Sequence, residues 1–374
     1  MQKFAFINHF LDLHLLYEHL WFPGIRRFPP RALKSLIARL PPYRYMQIGP
    51  IRSRIGMEAL GIGVLCPFLP EHFVTIDGHR VFKKIVEAVH IAERFGAKIV
   101  GLGGFTSVFG DEGVEVSKHV QIAVTSGNTY TAALSVEGLL KAAELMGVNI
   151  SESRIAIIGA TGDIGSICAK ILAKKSGEIV LAARNENRLN DFANDLRRVT
   201  TTSVVVTKYV RDAVKGSDLI LTAASAITTV LEEGDLKPGS IVCDVGYPAN
   251  VGRDLRRRRP DILIFEGGLA TWDFCDELPQ REKMENFSPR GTIHGCLAET
   301  ILLTLEEKFE NFSLGRGHIN EDFIRQILEL ARRHGFKLAP FHYGKKCYSQ
   351  EDIIRIKNEA GQYYRKKQRS SVFT

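Results

Sequence analysis

One stretch constrains this chain more than any other: Arg154-Ile-Ala-Ile-Ile-Gly-Ala-Thr-Gly-Asp-Ile-Gly-Ser166. A short apolar run meets three glycines spaced three apart, Gly159, Gly162 and Gly165, and Ile164, Ile167, Cys168, Ile171 and Leu172 then recur at helical spacing. This pattern predicts a buried strand, a tight turn and a helix. In such a turn the first glycine permits the bend. The second lets the backbone approach a pyrophosphate, and the third lets helix and strand pack closely, with the phosphates on the helix N-terminus. Thr161, Asp163 and Ile164 complete the candidate phosphate-binding turn.

A second strand, Glu178-Ile-Val-Leu-Ala-Ala183, follows. Where turns that bind NAD usually place an acidic residue for the ribose hydroxyls, this strand ends in Arg184-Asn185, with Arg188 close behind. A guanidinium there suits a 2′-phosphate, so the expected cofactor is NADPH. The alternative is a surface arginine without a ligand.

Around this unit the chain alternates strand and helix. Ser203–Val206, Leu219–Ala223, Ile241–Asp244 and Ile262–Phe265 are short apolar runs suited to a parallel sheet covered by helices. Ligands in such folds lie beyond the carboxyl ends of the strands, which makes Ala224, Ser225 and Gly246 further candidates for cofactor contact. Upstream, Lys3–Asn8 reads as a strand with Gly61–Leu65 as a candidate partner. Between them Pro29-Pro30 and Pro41-Pro42 bracket a basic helix, Arg31–Leu40, with Leu33, Leu36, Ile37 and Leu40 on one face. Core packing is the favoured role for that face, and peripheral contact with a membrane is the alternative. A helix from about Val81 to Gly96, a strand at Lys98–Leu102, a glycine-rich loop at Gly103–Ser107, a strand and turn at Gln121–Asn128, and a helix at Thr129–Met146 follow. Past Arg290 the periodicity becomes helical: Leu297, Ile301, Leu305 and Phe309 step by four, and Asp322–His334 runs to Gly335. The expected class is α/β, a central Rossmann-like NADP-binding domain over 129–290. An N-terminal α/β domain (1–128) and a C-terminal helical region with a basic tail (291–374) form a composite substrate region around it.

A length of 374 residues suits two or three domains, and 45% apolar with 25% charged residues is ordinary for a globular protein. No apolar run reaches the ~20 residues a membrane helix needs, and Met1–Trp21 lacks the layout of a signal peptide, so the expected location is the cytoplasm. Six scattered cysteines without a CxxC pair indicate neither a zinc site nor a disulfide framework, and no metal site is expected. The net charge of +8 gathers at Arg253, Arg256–Arg259 and the tail Arg365-Lys-Lys-Gln-Arg369. No nucleic-acid-binding module accompanies it, which leaves an acidic protein partner, an anionic membrane or plain solvated surface.

Cys296, in Thr292-Ile-His-Gly-Cys-Leu-Ala-Glu299, is the cysteine best placed for chemistry. A thiol at a helix start is expected to have its pKa lowered by the free N–H groups, and His294 is placed to polarise it or pass a proton. Such a thiolate takes an acyl group from a thioester. On residues alone, the alternatives are an inert core thiol beginning an apolar helix and a surface or capping histidine, and for His294 that plainer role is the favoured one.

A family resemblance adds to this. Phe6–His9, Cys66–Glu71, Gly101-Leu-Gly-Gly-Phe-Thr-Ser107, Ser126-Gly-Asn-Thr129, Gly159–Ser166 and Ala183-Arg-Asn185 resemble the long-chain acyl-[acyl-carrier-protein] reductases known from cyanobacteria. So do Gly246-Tyr-Pro248, Cys296–Leu303, Asn311–Arg316 and Arg333–Phe336, and the resemblance spans roughly residues 60 to 340. It implies an acyl-enzyme on Cys296, reduction by NADPH and a fatty aldehyde as product. It also implies acyl carrier protein as donor of the long-chain acyl thioester, with acyl-CoA as a second donor. The segment Pro23–Arg54, the pair His294-Gly295 and the tail beyond Tyr343 depart from it. Two other readings compete. One is an NADP oxidoreductase like the shikimate and amino-acid dehydrogenases, holding a small polar substrate with Ser126, Asn128 and Thr129; the other is a non-catalytic NADP-binding docking protein.

Overall fold

The structure, a computed structural model, describes residues 1–13, 16–17, 27–252, 254–278, 288–344 and 346–371, with backbone only over 363–371. Two compact units emerge: Met1–Tyr130 with Ala270–Lys337, and Thr131–Leu269 with Leu338–Thr374. This division runs differently from three consecutive domains. The chain leaves the first unit near residue 130, returns at 270, and leaves again at 337.

In the first unit, β1 (Gln2–His9) leads to α1 (Pro30–Ile37), β2 (Tyr43–Arg52) and β3 (Glu58–Cys66). Leu33 and Ile37 of α1 are buried with Phe10, Leu65 and Leu69, which fits the core-packing role. Leu36, placed on the same face by the sequence, is instead 53% exposed. The helix ends at Ile37, short of Pro41, and the Lys84 ammonium donates to the carbonyls of Ala38 and Leu40 just beyond it, at 2.7 Å each.

Helix α2 (Gly78–Phe95) begins where Asp77 Oδ1 accepts from the N–H groups of His79 and Arg80, and ends at Gly96 in the left-handed conformation, φ 83°. Its buried stripe is Val81, Ile85, Ala88, Val89 and Ala92. Strand β4 (Ile99–Leu102), helix α3 (Phe105–Glu112) and strand β5 (Ala123–Thr125) complete this half. The helix α3 begins inside the segment expected to be a loop. The sheet order is β2-β3-β1-β4-β5, with β1 parallel to β3 and β4, and β2 antiparallel at the edge. Residues Phe4 to His9 of β1 are all buried, as a central parallel strand covered on both faces requires.

Helix α4 (Asn128–Met146) leads into the second unit. There β6 (Arg154–Ile158), β7 (Glu178–Ala182), β8 (Ser203–Thr207), β9 (Leu219–Thr222), β10 (Ile241–Asp244) and β11 (Leu263–Glu266) form one sheet, with α5 (Asp163–Ala173) and α6 (Glu186–Val199) connecting its first three strands. Its order is β11-β10-β9-β6-β7-β8, and every pair is parallel. That is the Rossmann order, reversing direction between β6 and β9, the crevice where such sheets bind dinucleotides.

The return segment carries β12 (Leu269–Trp272), β13 (Ile293–His294), α7 (Gly295–Leu305), α8 (Glu321–His334) and β14 (Phe336–Leu338). Helix α7 stops at Leu305, short of the period-four Phe309, where Glu307 turns left-handed at φ 53°. Asn320 caps α8 and Gly335, φ 82°, ends it. Two short paired strands, His342–Tyr343 and Lys346–Cys347, then precede α9 (Gln350–Ser371), so the C-terminal region is not purely helical. Among the described residues no helix is long and apolar enough to cross a membrane.

Candidate functional site

The glycine turn forms at the carboxyl ends of three strands. The N–H groups of Gly159 and Ala160 donate to the Ala182 carbonyl at 2.9 and 3.1 Å, and Ala223 N–H donates to Ile158 at 2.8 Å. Gly159 has φ +83°, and a β-carbon there would lie 2.6 Å from the Ala223 carbonyl oxygen. A β-carbon on Gly165 would lie 2.2 Å from the Gly159 oxygen, so the fold itself demands glycine at both positions. Gly162 is different. Its φ is −82° and its β-carbon would meet only Gly159 O, at 3.4 Å. Nothing in the fold requires glycine there, and the side of Gly162 at the α5 N-terminus is open. Asp163 and Gly165 are buried, and Thr161, Gly162 and Ile164 are half-buried.

Arg184 stands exposed just past the end of β7. Asn185 caps α6 by accepting from the Arg188 N–H at 3.0 Å, so its carboxamide oxygen has a structural duty. The Arg188 guanidinium donates to the Thr161 carbonyl at 3.4 Å and thereby reaches the glycine turn.

Ala224, half-buried, and Ser225, exposed, follow β9, and half-buried Gly246 follows β10. Sequence reasoning missed what binds these loops together, the buried pair Asp244 and Asn250. Asp244 accepts from Thr222 Oγ1 at 2.8 Å and from the N–H groups of Gly246, Asn250 and Val251 at 3.0, 3.2 and 2.9 Å. Asn250 accepts from Ala224 N and donates to Ala224 O, both at 3.0 Å. Burial pushes the Asp244 carboxyl up to about 6, against the pull of those four donors. The position of Asp244 at a strand end was visible in the sequence, but nothing local marked its partners.

In the first unit, Cys296 sits in the first turn of α7, and His294 is the residue before that helix, half-buried, with a side chain that does not cap it. Helix α7 can lie close on β4 because residue 101 is glycine: a β-carbon there would come within 2.1 Å of Thr300 Oγ1. The turn Ser126-Gly127-Asn128 packs on Cys296 even more tightly. Gly127, φ +74°, would place a β-carbon 2.2 Å from Cys296 Cα and 2.3 Å from its Cβ.

The thiol does not behave as the helix start alone implies. Loss of water around the sulfur pushes the thiol of Cys296 up to about 12, although the residue as a whole is only half-buried; the N–H groups of Leu297 and of Cys296 itself pull it down in part, and Glu299 adds to the rise. Loss of water outweighs the helix N-terminus here. Glu299, one turn on, is fully buried and held by Thr125, Tyr130 and Ser313. Burial raises its carboxyl too, opposed by those hydrogen bonds.

The basic cluster is largely committed within the protein. Arg259, 6% exposed, makes a two-pronged pair with Asp261, 2.8 Å to each oxygen, and donates to the Glu233 and Leu236 carbonyls. Arg258 pairs with Glu233 at 2.8 Å, and Arg256 lies over the Tyr348 ring at 5.1 Å. Arg257 is the most open, with Asp254 at 3.4 Å. Arg253 and the side chains of Arg365–Arg369 lie outside the described residues. Among the described residues no three His, Cys, Asp or Glu side chains are grouped to hold a metal.

The family described as Shikimate / quinate 5-dehydrogenase matches residues 141–261, which lie in the second unit. The aminotransferase PigE of Serratia sp. is 30% identical over 315 residues, 84% of this chain but 36% of that protein, so the chain spans little more than a third of it. A long-chain acyl-[acyl-carrier-protein] reductase of Synechococcus elongatus is 30% identical over 298 residues, 77% of this chain and 85% of that protein. A glutamyl-tRNA reductase of Trichodesmium erythraeum is 25% identical over 49% of this chain and 43% of its own length.

Proposed function

Because the chain belongs to the long-chain acyl-[acyl-carrier-protein] reductase family, we propose that it reduces a long-chain acyl thioester to a fatty aldehyde through an acyl-enzyme on Cys296. The chain is an NADPH-dependent oxidoreductase. The observation that carries the finer reading is Cys296 in the first turn of α7, pressed by Gly127, on the stretch that resembles the family.

In the first step the Cys296 sulfur attacks the thioester carbonyl. A new carbon–sulfur bond forms, the donor's carbon–sulfur bond breaks, and the donor thiol leaves with the proton. With the thiol held above its ordinary range, a proton acceptor beside the sulfur aids the attack as the thioester arrives. His294, two residues away, is the candidate. Gly159, Gly162 and Gly165, with Thr161, Asp163 and Ile164, hold the pyrophosphate in this reading. Arg184 takes the 2′-phosphate, Arg188 steadies the turn, and Ala224, Ser225 and Gly246 line the strand ends. When bound, NADPH supplies the hydride that turns the enzyme-held acyl group into the aldehyde and frees Cys296. The donor is acyl carrier protein or acyl-CoA, and Arg257, exposed beside Asp254, is the arginine of the run Arg256–Arg259 offered to an acidic carrier.

The experiment omits NADPH. Protein mixed with a long-chain acyl thioester gains the mass of one acyl group on Cys296; added NADPH releases aldehyde and restores the mass. The competing reading, direct reduction of a small polar substrate, draws on the shikimate match, which ends at residue 261 and leaves Cys296 out. Aldehyde formation at the parental rate by Cys296→Ala would hand the case to that reading.

A further inference from the structure

The group that orders the surroundings of Cys296 is the carboxylate of Glu299, which is 0% exposed. Its Oε1 accepts from Thr125 Oγ1 at 2.5 Å and from Ser313 Oγ at 2.7 Å, and its Oε2 accepts from Tyr130 N at 2.8 Å. With the carboxylate as acceptor, the hydroxyls order as a chain. Ser313 gives its hydroxyl proton to Glu299, so Thr129 is the donor in the 2.5 Å Thr129–Ser313 hydroxyl contact. Thr125 gives its proton to Glu299 and accepts Gly127 N–H at 3.1 Å. Both oxygens of the Glu299 carboxyl are thus engaged, Oε1 by two hydroxyls and Oε2 by a backbone N–H.

Ser313 supplies an independent observation. It holds φ +53°, a left-handed backbone that a non-glycine residue keeps only when its neighbours over-determine it. They do: its side chain binds Glu299 and Thr129, and its carbonyl accepts from Ser126 Oγ at 2.5 Å. The same loop is tied to β5, Asn311 Oδ1 accepting from Val124 N at 2.9 Å and Phe312 N donating to Val124 O at 3.1 Å. Thr125, Ser126, Thr129 and Tyr130 are thus each bound to Glu299 or Ser313, and Gly127 between them is the residue pressed on Cys296.

We propose that Glu299 is a positioning residue for acyl transfer: with Ser313 it locks the turn Thr125–Tyr130 onto α7 and so fixes the backbone that packs against Cys296. The assignment rests on the proposed acyl transfer at Cys296. Its cost is a buried negative charge beside the thiol, and that charge contributes to the raised Cys296 value.

The test measures two rates at Cys296 by peptide mass: acyl uptake from a long-chain acyl thioester without NADPH, and alkylation by iodoacetamide against pH. In Glu299→Gln, acyl uptake falls on the order of tenfold to a hundredfold because the turn is released. The alkylation midpoint meanwhile moves to lower pH because the buried charge is gone. A folded Glu299→Gln protein that takes up acyl groups at or above the parental rate overturns the proposal. If that variant does not fold, Thr125→Val and Thr125→Ser decide. The valine slows acyl uptake and the serine, which keeps the hydroxyl, restores most of the loss; equal uptake in Thr125→Val and the parent overturns it. If the parent itself takes no acyl group, the proposed reaction falls, and alkylation alone judges Glu299. An alkylation rate unchanged between the parent and Thr125→Val would then overturn the positioning role.

Discussion

Gly127 lies so close to Cys296 that a β-carbon at position 127 would stand 2.3 Å from the Cys296 β-carbon, and its φ of +74° disfavours any side chain there. Gly127→Ala therefore carries two costs, roughly 1–2 kcal/mol for the left-handed backbone and ~1–3 kcal/mol for overpacking. The expected outcome is a lower denaturation midpoint, together with loss of acyl uptake at Cys296 in the protein that remains folded. A variant with parental stability and parental uptake would show that the two residues do not press on each other in solution.

The three glycines of the nucleotide turn are expected to respond differently. Gly162→Val places its side chain where only Gly159 O is near, at 3.4 Å, so folding survives while NADPH binding is lost. Gly165→Ala drives a β-carbon to 2.2 Å of a backbone oxygen and costs stability first. Calorimetric titration with NADPH, alongside thermal melting, separates the two. Retained binding in folded Gly162→Val would place the pyrophosphate elsewhere.

Arg184 is exposed at the strand end, without a neighbour that fixes it for structural reasons among the contacts described. Removing one charge-assisted contact to a 2′-phosphate costs on the order of 1.5–3 kcal/mol. Arg184→Ala should accordingly narrow the preference for NADPH over NADH by roughly ten- to a hundredfold. Affinities for both cofactors in parent and variant check this, and a parent that binds the two equally well excludes the role.

Arg259 and Arg257 sit two residues apart in one basic run and should behave oppositely. Arg259 is buried in its pair with Asp261, and Arg259→Ala leaves that carboxylate buried and uncompensated, a loss of about 3–5 kcal/mol. Arg257→Ala, at an exposed ion pair, should change stability by less than ~1 kcal/mol. Urea denaturation of the two variants checks the contrast; equal effects would dissolve it.

Asp244 gives a pH dependence with a definite sign. Its folded value of about 6 lies above the ordinary 3.8, so its stabilisation is complete below about pH 4 and is lost as pH rises through about 6. Asp244→Asn cannot titrate. The difference in unfolding free energy between parent and variant should change across pH 4–6 by up to about 3 kcal/mol and then level off above that range. A flat difference from pH 4 to 7 would show that the four hydrogen bonds fully offset burial.

Much of the architecture is a local matter and could be read along the chain. The glycine spacing at 159, 162 and 165, the apolar runs of β6 to β11, the asparagine and glycine around α8 and the helix beginning at Cys296 are each set by residues within a turn or two of one another. Turn geometry, capping and periodicity act over that range, so the Rossmann unit and the candidate nucleophile were both legible. Burial was harder. Leu36 shares its helix face with Leu33 yet stays exposed, because which part of a face is covered depends on what the rest of the chain brings to it.

What decided the character of the site came from afar. Thr125 and Glu299 are 174 residues apart in sequence, and no local pattern announces their hydrogen bond or the left-handed Ser313 bound to the same carboxylate. The sequence by itself determined that a thiol would stand at a helix start and that a glycine turn would join β6 to α5. Only the tertiary structure decided that the thiol would be held up near 12, that Glu299 would be buried beside it, and that Arg259 would be spent inside the protein. The reason is that ionisation and hydrogen-bond satisfaction depend on how much water is removed and which distant groups replace it, and those are properties of the packed chain rather than of any segment.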